Sequence, residues 1–219
     1  MTYEFTGRRA VAIWVKWALA SAVAWLALHP MGATLQRDVL FLFAGGALAS
    51  VLHGLVLWSR TLGQDVRLAW LVGSLGAWAA AAVVVVVAPW NRLSPGGEEL
   101  LLSALVPAAG LVLGVVQWRS FAHLPRSRAW VPVPALALSL GFLAAQQTHG
   151  AIGGHAGLAR LLSDPLDSYR FAGLVLGSVY GSLTATAFVW IGRGRHPQGA
   201  PGRPVARALR GSPPSRRPG

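Results

Sequence analysis

The chain contains no cysteine, which rules out disulfides, thiolate nucleophiles and cysteine-held metals. Acidic side chains are scarce as well: Asp and Glu together number 7, and none falls within a long apolar run. Intramembrane aspartyl proteolysis, proton pumping and ion-coupled transport rely on buried carboxylates, so these classes are disfavoured. Lysine is nearly absent. Lys16 is the one lysine, and every other basic residue is arginine. Charged residues make up 12% of the chain, about half the roughly 25% of a soluble domain.

Apolar residues fill the space instead. They form 54% of the 219 residues and give a mean hydropathy of +0.51. They also come in long runs. Leu68–Ala88 carries no charge, and it is long enough to cross a hydrocarbon core of roughly 30 Å. Arginine in place of lysine, with abundant Ala, Gly, Val and Pro, predicts a bacterial source and so a bacterial cytoplasmic membrane.

Six such runs are present, at 10–29, 39–59, 68–88, 100–122, 129–146 and 171–192. Pro132 and Pro134 sit near the start of the fifth, where proline is tolerated. Pro107 lies deeper in the fourth and is expected to kink it. The first run carries Trp14, Trp17 and Trp25 and no convincing cleavage site before Arg37, so it reads as a retained span. Arg8, Arg9, Arg60, Arg67, Arg119, Arg126, Arg128 and the arginines of the tail fall on one side. Arg37, Arg92, Arg160 and Arg170 fall on the other, with most of the acidic residues. The positive-inside rule then predicts that both termini are cytoplasmic.

The letters AGLVLG occur at 109–114 and again at 172–177. Gly110 and Gly114 lead the first copy; Gly173, Gly177 and Gly181 line the second. Gly46, Ser50 and Gly54 repeat the small-residue spacing in the second run. Small residues at i and i+4 let helix backbones approach closely in lipid, where no hydrophobic force drives helices together. Ala-Trp at 69–70 and 129–130 echoes the same period, and IWVKWALASAVAW reads as a degenerate first copy. The expected fold is therefore all-α: a polytopic membrane protein of six transmembrane helices, arranged as three parallel helical-hairpin repeats. The repeats span approximately 10–60, 67–124 and 128–192 within a domain of residues 1–192. Residues 193–219, rich in Arg, Pro and Gly, are expected to form a disordered cytoplasmic tail attracted to anionic lipids rather than to nucleic acid.

Seven residues after each leading glycine stands a polar or amphipathic side chain: His53, Gln117 and Tyr180. Two helical turns separate each from its glycine, so the pair shares a face. Three such groups could converge on an axis and bind a solute. In the connection at 146–170, His149 and His155 with Asp164 or Asp167 offer zinc-type donors, but their spacing follows no metal-ligand pattern. No metal or cofactor is expected, and no nucleophile–base set can be assembled.

The segment GVVQWRSFAHLPRSRAW (114–130) resembles uncharacterised bacterial multi-pass membrane proteins. In these a Gly-rich helix runs into Gln-Trp, a basic turn and an Ala/Gly-Trp that opens the next span. Arg119 and Ser120 stand where that pattern has apolar residues. The resemblance implies a helical membrane fold and no particular activity. Three parallel hairpins also resemble mitochondrial carriers in architecture, but the P-x-[DE]-x-x-[KR] signature is absent. Two functions follow. One is a non-enzymatic accessory or assembly component that packs through its Gly-rich faces against itself or another membrane protein. The other is a channel or facilitator for a small neutral or weakly polar solute, using His53, Gln117 and Tyr180.

Overall fold

The computed structural model describes residues 7–27, 35–58, 64–122, 124, 126–154 and 165–192. His29, Arg60, His155, Asp164 and the tail lie outside these residues. The described residues are helical and contain no strand. Six helices are long and apolar enough to cross a membrane: α1 Gly7–Ala27, α2 Leu35–Trp58, α3 Gln64–Val87, α4 Pro95–Ser120, α5 Val133–Gly154 and α6 Pro165–Gly192. They are apolar around most of their circumference, as helices with lipid on one face and protein on the other should be.

Local chemistry sets several boundaries. Ser94 caps α4, its hydroxyl accepting the Gly97 N–H at 3.2 Å, and Pro95 occupies the first turn. Pro107 sits inside α4, which nonetheless continues to Ser120. A 3₁₀ turn, Ser127–Trp130, precedes α5, so Trp130 enters the bundle from a turn rather than from the helix itself. That turn begins after Arg126, whose backbone is left-handed at φ 64°.

The expected end of the fifth span at 146 is corrected. Helix α5 runs on to Gly154, through Gln146, Gln147, Thr148 and His149. The apolar run stops there but the backbone ladder does not, and the Thr148 hydroxyl satisfies itself on the Ala144 carbonyl at 2.8 Å. Similarly, α6 begins at Pro165 and not at 171. The stretch read as one long loop is therefore helical at both ends.

Each helix packs on its neighbours in sequence, and α6 returns to pack on α1, closing a six-membered ring. Side-chain contacts give the directions. Trp14 and Trp17 meet Thr186 and Thr184, while Gly173 lies against Trp25, so α1 and α6 are antiparallel. Ser21 meets His53 and Trp25 meets Leu42 between α1 and α2; Ser74 meets Gln117 between α3 and α4.

The glycines explain how three of these junctions become close. A Cβ on Gly110 would stand 2.5 Å from the Ala135 Cα, and one on Gly114 would strike the Val131 carbonyl, so α4 lies directly on the backbone of α5 and of the turn that leads into it. A Cβ on Gly177 would stand 2.5 Å from the Ser21 carbonyl oxygen, and one on Gly173 would stand 2.7 Å from that of Trp25, so α6 lies as closely on α1. On α2, Gly46 makes room for the Trp78 ring and Gly54 for the Leu71 side chain. The contact on α3 is thus with side chains, and α2 uses its small residues to seat large ones.

Candidate functional site

Three tryptophans meet inside the ring, one from each alternate position. Trp17 lies 5.6 Å from Trp70 and 6.4 Å from Trp130, and Trp70 lies 5.8 Å from Trp130, centroid to centroid. All three are fully buried. Phe121 and Phe188 press on the same cluster, with Leu57 completing it. Indoles from α1, from α3 and from the turn that leads into α5 thus meet inside the ring and fill it at this level.

A polar layer surrounds these rings. Trp17 is flanked by His53 at 4.0 Å and 16° and by Phe188 at 4.9 Å and 21°. Its indole N–H donates to the Thr184 hydroxyl at 3.0 Å. The Trp130 N–H donates to Gln117 Oε1 at 3.1 Å, and Gln117 Nε2 donates to the Ser74 hydroxyl at 3.0 Å. Ser21 Oγ and His53 Nε2 are hydrogen bonded at 2.8 Å. Donors and acceptors are matched within the bundle, as burial in a medium without water demands. Trp70 and Ser120 break the scheme, because the Trp70 N–H and the buried Ser120 hydroxyl have no partner.

Of the three polar positions read from the sequence, His53 and Gln117 are both in this layer. Tyr180 is not, which corrects the expected triad. It packs edge-on against Trp25, centroids 5.0 Å apart, in the neighbouring core cluster. Thr184, one helical turn further along α6, occupies the place expected for Tyr180. The reason is register. Gly110 faces Ala135, five residues beyond Trp130; Gly177 faces Ala22, five beyond Trp17. Gly110 thus corresponds in packing to Gly177, and the shared letters AGLVLG are one turn out of step.

The small residues lie at helix contacts. Ser50 donates to the Gly46 carbonyl at 2.9 Å and accepts from the Trp78 N–H at 3.0 Å. Gly181 faces Ser21 and Ala18. Trp17, Trp70, Trp130 and Thr184 are not among the site residues that the sequence suggests. The Ala-Trp spacing of Trp70 and Trp130 and the segment IWVKWALASAVAW around Trp17 read as echoes of one period, but spacing alone does not show that the three indoles meet.

At the other end of the bundle His149 stacks on Tyr169, centroids 4.3 Å apart, with Nδ1 buried and without a partner. Its proposed co-ligands His155 and Asp164 lie outside the described residues, as does the side chain of Asp167. Among the described residues no group of three metal-type donors comes together.

Clefts lie away from the tryptophan layer. One of about 420 Å³ opens between α4 and α5, with Ser103, Ser139 and Gln146 among its lining residues. Another, about 450 Å³, lies between α1 and α2 beside Lys16. In comparisons with known proteins, no family profile, curated protein or solved structure matches the chain.

Proposed function

We propose that this is a non-enzymatic integral membrane protein, a compact scaffold or assembly component, built from three hairpin copies around a pseudo-three-fold axis. The single observation behind this reading is the contact of Trp17, Trp70 and Trp130 across the ring. The correspondences of His53, Gln117 and Thr184, and of Leu57, Phe121 and Phe188, support the three-fold repeat. The arginine distribution supports a bacterial cytoplasmic membrane with both termini inside.

The conduit reading loses support at the same place. A solute path needs His53 and Gln117 on a water-accessible lumen, whereas both are buried and engaged with Ser21, Ser74 and Trp130. The Gly-rich faces are also occupied within the chain, so a partner would meet the outer surface and not these ridges.

Reconstitution tests this directly. Liposomes carrying the protein are expected to pass glycerol and urea no faster than empty ones in stopped-flow light scattering. Facilitated flux that disappears in His53→Leu would overturn the scaffold reading and restore the conduit. Gentle purification is expected to retain a stoichiometric membrane partner.

A further inference from the structure

One charged side chain stands apart from the helix ends. Lys16 lies nine positions into α1 and is exposed on the outer surface of the bundle. A charge within a span is costly unless it has a use. Its level can be read from its neighbours. Trp17 touches Trp70 and Trp130, and these follow Arg67 and Arg128 by one turn or less. Lys16 therefore sits about one turn inside the arginine girdle, within reach of a headgroup when its stem extends along the surface.

From Lys16 a groove of about 450 Å³ runs into the membrane between α1 and α2. Leu19, Ala20 and Val23 form one wall; Leu52, Leu55 and Val56 form the other. Among the described residues, Lys16 is the only charged member of this lining. Leu19, Val23 and Leu55 are 58%, 52% and 59% exposed, so the groove is open to lipid along its length. Arg9 stands two turns before Lys16 and on the same helix face, exposed, toward the arginine-rich end. Cation at the mouth, apolar walls within and a second cation below match an anionic amphiphile.

We propose that the α1–α2 groove binds one anionic phospholipid from the leaflet at the arginine-rich end, its phosphate on Lys16 and an acyl chain along the groove. The chain supplies what the groove walls lack, a covering apolar surface, and the phosphate gives Lys16 a counter-charge. A zwitterionic lipid would offer the same chain without the net charge.

The test is native mass spectrometry of the full chain released from nanodiscs of phosphatidylglycerol and phosphatidylcholine with identical acyl chains. One phosphatidylglycerol is expected to stay bound. Lys16→Gln is expected to reduce its retention about five-fold, the effect of losing one cation at an anionic surface, and Lys16→Arg to restore it. Ala20→Phe fills the groove and is expected to expel the lipid while leaving Lys16 in place. Thermal unfolding of each variant establishes that it is folded. Equal retention by Lys16→Gln, or phosphatidylcholine held as well as phosphatidylglycerol, would overturn the proposal. So would loss of a bound protein chain in Lys16→Gln with lipid retention unchanged, which would assign Lys16 to an acidic partner helix.

Discussion

Trp17 lies flat on His53, rings 4.0 Å apart, while its indole N–H crosses to Thr184 on the last helix. One side chain thus ties the first helix to the second through its face and to the sixth through its edge.

The N–H groups of the three central tryptophans are not equivalent, and substitution should separate them. Trp17→Phe and Trp130→Phe each remove a buried hydrogen bond, to Thr184 and Gln117 respectively. Each should cost about 0.6–2 kcal/mol, spanning membrane and soluble measurements. Trp70→Phe removes an N–H that has no acceptor, so it should cost less than either. Unfolding by SDS titration in mixed micelles gives the order; Trp70→Phe as the worst of the three would contradict the pairing.

The glycine contacts predict opposite outcomes for one chemical change. Gly76 has open space where a Cβ would go, so Gly76→Ala should be neutral or gain up to about 1 kcal/mol from helix propensity. Gly114 and Gly177 lie on neighbouring backbone. Gly114→Ala and Gly177→Ala should each cost about 1–3 kcal/mol by forcing helices apart. The same titration reads all three.

Gln117 bridges Trp130 and Ser74. Gln117→Leu leaves a buried donor on Trp130 and should cost more than Ser74→Ala. A double-mutant cycle is expected to return a coupling of about 0.6–1.7 kcal/mol, between the average and the maximum of interhelical bonds in lipid. Zero coupling would mean that the two groups do not interact in the folded bundle.

The absence of cysteine makes ring closure accessible to cross-linking. Trp14 and Thr186 are hydrogen bonded at 3.0 Å. The pair Trp14→Cys and Thr186→Cys is expected to be joined by a short bis-methanethiosulfonate within one chain, shifting gel mobility without doubling the mass. Cross-linked dimers would indicate that α6 closes on another copy.

The six long apolar helices and the small-residue ridges are legible in the sequence because hydropathy and glycine spacing are direct consequences of the solvent. The helix ends are less so. Gln146, Gln147 and His149 look like loop because they are polar, yet a helix leaving the apolar layer keeps its own hydrogen bonds. The polar layer is half legible. His53 and Gln117 stand out as polar groups in apolar runs, but Thr184 is inconspicuous beside Tyr180, and identical letters favoured the wrong turn. The tryptophan cluster depends on three residues far apart in the chain, and their convergence belongs to the ring.

The seam between α6 and α1 joins the two extremes of the described chain. During synthesis, five helices must wait in the bilayer with the Trp17 edge and the Ser21 carbonyl uncovered until the sixth emerges. A chain stopped short of α6 would keep that wound open, offering membrane quality control a ready mark of an unfinished product.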